Sequence, residues 1–298
     1  MKSDKLAHLR TFLPGLLGLL MVASASLILA APLAAAPKGL TLSPLRHELE
    51  SAPGTSQDGS LTVTNSTDAS MRIRLNAEEF SVITQQYDYA FTVESNVAKW
   101  VTFSSDEVEL AVGESRQVSF TIGVPLSAEP GGRYVSLFAS TDADIQGGGV
   151  NSQQRIASLI YLTVLGDVSR AGHLLSLSSP GLIGGASQWS IALQNTGTTH
   201  YRSRYNVNVQ NIFGNHVVAS MSGDALILPG TVRLVSDVLP LPPLPGLYKA
   251  VYTIGLGDSP AAIETRLVVY MPPAATALVS ITGILTTLVF LRRRSRTS

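Results

Sequence analysis

The chain has 298 residues, with 21 Lys and Arg against 21 Asp and Glu and no cysteine. A formal charge of zero removes the clustered basic excess that nucleic-acid phosphates demand, and the lack of thiols excludes disulfides and thiolate metal sites. Stability must come from buried apolar surface, which domains of ~100 residues can supply.

Residues 1–36 are laid out as a secretory signal. Lys2, Lys5 and Arg10 precede an apolar run from Phe12 to Ala30, and Ala34, Ala35 and Ala36 offer small residues for cleavage. An uncleaved N-terminal anchor is the other reading of the same run.

Residues 38–270 have the period of strands. Leu61 and Val63, Ile73 and Leu75, then Val118, Phe120, Ile122 and Val124 each alternate with polar or small residues. The same holds for Ile191 and Leu193, for Tyr205, Val207 and Val209, and for Tyr248, Ala250, Tyr252 and Ile254. Period-two alternation puts one face of a strand on a core and the other in water. Many short strands broken by Gly, Pro, Asn and Ser predict a sandwich.

The segment also repeats itself. Leu61–Asn65 is matched by Ile191–Asn195, Leu110–Gly113 by Leu228–Gly230, and Pro130–Tyr134 by Pro245–Tyr248, in the same order. Two copies of one topology explain this, so the expected fold is all-β, with two tandem immunoglobulin-like β-sandwich domains at 38–168 and 169–270.

After Pro272 and Pro273 comes an apolar run over 274–291, followed by Arg292, Arg293, Arg294 and Arg296. Roughly 18 helical residues span ~27 Å, close to the hydrocarbon thickness of a bilayer. A transmembrane helix at 274–291 is therefore expected, with a basic tail at 292–298. Basic residues stay cytoplasmic, which places residues 38–270 outside the cell. Leu228–Val232 has a superficial likeness to a sortase signal, but Val232 stands where that motif needs glycine, and the run to be anchored lies too far on.

The stretch Trp100–Pro125 resembles the PapD-like branch of immunoglobulin sandwiches, with a Trp-led strand, the Val108-x-Leu110-x-x-Gly113 corner and an alternating strand ending in Pro125. Leu42–Arg46, Val63–Asn65 and Pro130–Tyr134 fit the same pattern. With its signal, two sandwiches, membrane helix and basic tail, the whole layout resembles the WxL-interacting proteins of Gram-positive surfaces. That resemblance implies a peptidoglycan-binding first domain and a host-binding second one. In PapD-like folds it also implies a second possibility, a tethered assembly chaperone that lends a strand to a partner, for which Gln154–Val164 is the candidate, with Ile156, Ile160, Leu162 and Val164 on one face.

Catalysis is not expected. His47, His173, His200 and His216 are scattered, and no metal, nucleophile or phosphate motif is present. Gly147–Gly149 reads as a hairpin tip. No cofactor is implied.

The most site-like stretch is Gln85–Phe91, where Gln85, Tyr87 and Tyr89 offer ring stacking and amide hydrogen bonds to carbohydrate. The same spacing also suits an edge strand whose Tyr87, Tyr89 and Phe91 cover the core. Trp100 is expected to be a core residue, and Asn65 and Asn195 to make strand-end turns. The resulting expectation is a non-enzymatic, single-pass surface protein contacting wall polymer, other surface proteins, or both.

Overall fold

The computed structural model describes residues 39–141 and 153–294, without the side chains of 278, 279 and 289–294. The signal at 1–36, the Gly147–Gly149 tip and the last four residues of the tail lie outside the described residues.

In the first sandwich, a four-stranded sheet runs in the order β1 (Leu40–Ser43), β3 (Ser56–Asn65), β8 (Ser115–Gly123), β6 (Val101–Phe103). Facing it is a six-stranded sheet ordered β2 (Arg46–Ser51), β10 (Arg155–Val164), β9 (Gly131–Thr141), β4 (Met71–Val82), β5 (Tyr89–Thr92), with β7 (Glu107–Leu110) also paired to β4. The ladder between β2 and β10 is parallel and the others are antiparallel.

The second sandwich pairs a three-stranded sheet, β11 (Gly172–Ser178), β13 (Gln188–Asn195), β16 (Val232–Val238), with a five-stranded one. The latter runs β12 (Leu182–Ile183), β18 (Ser259–Tyr270), β17 (Gly246–Leu256), β14 (Tyr201–Asn211), β15 (Val217–Ile227). Here β12 and β18 form the parallel ladder. The orders match element for element around β1, β3 and β8 against β11, β13 and β16, and around β2, β10, β9 and β4 against β12, β18, β17 and β14.

Every residue singled out by period-two alternation is buried in one of two cores. The repeat has a physical basis in its matched asparagines. Asn65 is fully buried; its Nδ2 donates to the carbonyls of Ala69 and Ala111, and its Oδ1 accepts from Thr67 N. Asn195 does the same with Thr199, Ile227 and Gly197. Each backbone carbonyl also accepts from the paired corner glycine, Gly113 (φ 74°) or Gly230 (φ 71°). That left-handed conformation favours glycine, which has no Cβ to strain it.

Trp100 differs from its expectation. It ends a 3-10 turn at Ala98–Trp100 and is half-buried against the first core, because the strand it precedes, β6, is an edge strand. The fully enclosed tryptophan is Trp189 in the second core, 1% exposed.

One α-helix follows the second sandwich, α1 (Pro273–Arg294). Proline suits its first turn, where the missing N–H would have no intrahelical acceptor. Among the described residues no helix is long and apolar enough to cross a membrane. The run at 274–291 includes residues whose side chains lie outside the description.

Candidate functional site

The two sandwiches meet over the outer face of the six-stranded sheet. Alternation sends Ile160, Leu162 and Val164 of β10 into the first core and turns Leu159, Tyr161 and Thr163 outward. There Phe80, Tyr87 and Tyr161 form a third buried cluster with Leu226 and Leu228 of the second sandwich. Phe80 packs edge-on against Tyr89 and Tyr161, with ring centroids 5.2 and 5.5 Å away. Such pairs contribute roughly 0.5–1.5 kcal/mol beyond their buried area.

Tyr87 is the pin of this junction. It lies in the turn between β4 and β5 at φ 71°, a conformation uncommon for a bulky residue and held only where surroundings over-determine it. Its hydroxyl accepts from Leu228 N at 2.8 Å and shares a hydrogen bond with Thr231 Oγ1 at 2.9 Å. The guanidinium of Arg233 sits 4.2 Å from the ring centroid. One turn earlier, Gln85 O accepts from Leu234 N at 2.8 Å. Burial raises the Tyr87 pKa above its usual value, so the phenol stays neutral.

These positions place Tyr87 differently from both sequence expectations for the stretch. Tyr87 is only 6% exposed and enclosed by the second sandwich, so its ring has no open face for a sugar. It also lies outside β5, so it covers the junction instead of the first core. Tyr89 is half-buried on Phe80, and its hydroxyl is 3.4 Å from that of Tyr161. The Gln85 side chain is exposed while its backbone is engaged.

Nothing in the periodicity marked Phe80, Leu226 and Leu228 as junction residues. The one available signal was the unbroken run Ala225–Leu228, buried at all four positions, which a strand with one wet face would not need. The segment Leu228–Val232, superficially like a sortase motif, is the loop that receives Tyr87.

The junction continues past the aromatic cluster. Gly132 N donates to Thr198 O at 3.0 Å, and the Thr163 and Thr199 hydroxyls are 3.0 Å apart. Gly131 holds φ 134°, and a Cβ there would meet Thr198 O at 3.0 Å. Glycine is required where the two backbones approach this closely. Ion pairs close the rim, Arg170 to Glu50 at 2.8 Å and Arg202 to both Glu48 and Asp224. Beside them is a cleft of about 450 Å³ lined by Glu48, Glu50, Arg170, His200, Arg202 and Asp258.

His200 lies under this rim, with Nδ1 3.4 Å from Tyr134 Oη and its ring 5.6 Å from Tyr134 and Tyr161. Desolvation lowers its pKa from 6.5 to about 4; Glu48 and Glu50 oppose this, and Arg170 and Arg202 add to it. Desolvation likewise pushes Tyr201 up to about 12. Between pH 6.5 and 4 the unfolded chain binds a proton at this histidine that the folded chain refuses, so its contribution destabilises as pH falls. The loss begins near pH 6.5, levels off near pH 4, and amounts to at most ~3 kcal/mol. Burial lowers His47 too, with the same sign. Melting His200→Asn alongside the parent at pH 7 and pH 5 should show a smaller acid-induced drop in the variant. Equal drops would remove His200 from the explanation.

The histidines do not converge. His47 packs edge-on against Phe120 at 5.3 Å in the first sandwich, while His200 is surrounded by tyrosine and threonine. Among the described residues, no three His, Asp or Glu side chains are grouped to hold a metal ion. The candidate donor strand β10 is paired with β9 along its length and with β2 over Leu159–Val164. Ile160, Leu162 and Val164 are at most 1% exposed, so lending their side chains would empty the first core.

No family model matches the chain, and no curated protein matches it. Among solved structures it is similar to the class 5 fimbriae chaperone CfaA, at 14% identity over 78% of this chain and 100% of that one, TM-score 0.42. The CupB2 chaperone of Pseudomonas aeruginosa aligns at 8% identity over 76% and 99%, TM-score 0.36. The E. coli chaperone DraB aligns at 15% identity over 79% and 97%, TM-score 0.33.

Proposed function

We propose that this chain is a non-enzymatic binding scaffold, fixed in the cell membrane by its apolar run at 274–291, that holds two sandwiches outside the cell as one rigid body. The observation carrying this reading is the junction itself. Domains joined by a short linker move freely unless a substantial apolar interface stops them, and here a buried aromatic cluster, a receiving loop and a rim of ion pairs do so. A rigid pair presents its outer surfaces at a fixed spacing, which suits contacts to wall polymer, to other surface proteins, or to both.

The membrane placement is supported by the apolar run at 274–291 and the arginines after it. On α1, Ile281, Ile284, Leu285 and Leu288 are each more than half exposed, as suits a helix whose solvent is lipid. The order of signal, two sandwiches, apolar helix and basic tail is that of the WxL-interacting proteins, whose membership this reading adopts.

Protease added to intact cells should remove residues 39–270 and leave a small membrane fragment. Protection of that segment in cells lacking an outer barrier would overturn the placement. Full-length protein in detergent should also be retained by purified cell wall. With zero net charge, that retention should fall only modestly as salt rises. A protein that is protease-accessible in cells yet unretained by wall at any salt would narrow the contacts to surface proteins.

A further inference from the structure

The two sandwiches differ at one matching edge. In the first, β2 covers the edge of β10 over six residue pairs, Leu159↔Arg46 to Val164↔Ser51. In the second, the equivalent strand β12 covers β18 at only two, Leu182↔Val269 and Ile183↔Tyr270. The sequence explains the short cover. Pro180 and Gly181 precede Leu182, and Gly184 and Gly185 follow Ile183; proline lacks the ladder donor and glycine weakens a strand. Among the described residues, no strand pairs with the outer edge of β18 before Val269.

That edge is ready to pair. Val269 N donates to Gly181 O and Met271 N to Ile183 O, both at 2.8 Å, so odd-numbered residues here aim their backbone groups away from β17. The ladder with β17 is regular from Ala262 to Tyr270. Period-two alternation then turns the N–H and C=O of Ile263, Thr265 and Leu267 toward the open edge. Their side chains are on the outer face, where Ile263 is 68% and Leu267 62% exposed, in line with Val269, Leu247 and Leu182. An edge that no strand covers and that carries an apolar flank is a template for another strand.

We infer that β18 is a docking edge for an extended segment of another surface protein, which adds in parallel where β12 stops. Main-chain hydrogen bonds supply affinity, and alternate apolar side chains of the partner lie beside Ile263 and Leu267. The parallel sense follows from what occupies this position in both sandwiches, β2 on β10 and β12 on β18. A second copy of the chain does not suit it, because a two-fold axis would pair β18 with itself antiparallel. This deepens the surface-scaffold reading and rests on it.

The test uses full-length protein in intact cells, with Ile263→p-benzoylphenylalanine or Leu267→p-benzoylphenylalanine as photo-crosslinkers. Each should give an adduct with one and the same partner segment. The Leu267 crosslink should map C-terminal to the Ile263 crosslink by about four residues, as parallel strands require. Combining Leu267→p-benzoylphenylalanine with Thr265→Pro should cut adduct yield by roughly tenfold at unchanged melting temperature, since no strand among the described residues pairs with that N–H. Should Thr265→Pro lower the melt, Ile263→Lys carries the same comparison through an exposed side chain. Adducts with lipid, with a second copy, or in reversed order overturn the inference. So do unchanged yields in the variants, or no adduct at all from a chain that protease reaches on the same cells. Surface placement is scored separately by that protease digestion, so the two readings fail independently.

Discussion

Tyr87→Ala should destabilise the chain by roughly 3–5 kcal/mol, the range for deleting a buried aromatic ring. The ring fills the space between Phe80, Leu226 and Leu228, and its hydroxyl satisfies Leu228 N. Removing both leaves a cavity and an unpaired buried donor. Tyr87→Phe isolates the second effect and should cost about 1–3 kcal/mol. For a chain of this size each kcal/mol moves the melting temperature by about 2–4 °C. The alanine variant should also split one cooperative transition into two, because this junction is what couples the sandwiches. If Tyr87→Ala melts in one step at the parent temperature, the junction does not hold the pair together, and the rigid-scaffold reading loses its basis.

Trp189→Ala should cost a similar amount, roughly 3–5 kcal/mol, but confined to the second sandwich. Trp189 stands on β13 and meets Tyr205 and Tyr252 of the opposing sheet edge-on, at centroid distances of 5.4 and 5.5 Å. Its Nε1 is buried without a hydrogen-bond partner among the described residues. Trp189→Phe keeps an aromatic in the core and discards that orphan donor, so it should cost clearly less than alanine. Calorimetry of the three proteins decides the point, and an alanine variant no less stable than the phenylalanine one would contradict the packing. Trp100→Ala is the useful contrast, since that ring is only half-buried at the sheet edge.

Much of this architecture was legible from the chain. Alternation at Val118, Phe120 and Ile122 and at Tyr248, Ala250, Tyr252 and Ile254 named core residues, and the same alternation, extended back from Ile191, reaches Trp189. Asn65 with Gly113 and Asn195 with Gly230 marked the same buried turn twice. Those features are local, because period-two geometry and left-handed corners are set by neighbours a few residues apart. The outer faces are another matter. Alternation separates the two sides of a strand, but it does not say whether the second side meets water, a partner or another domain of the same chain. Tyr87 therefore read as cover for the first core or, as the other option, as a sugar platform. Only the tertiary structure brought it to Leu228, 141 residues away. Among the described residues it likewise left β18 open where β10 is covered, because that difference lies in how far a neighbouring strand runs, not in the pattern of β18 itself.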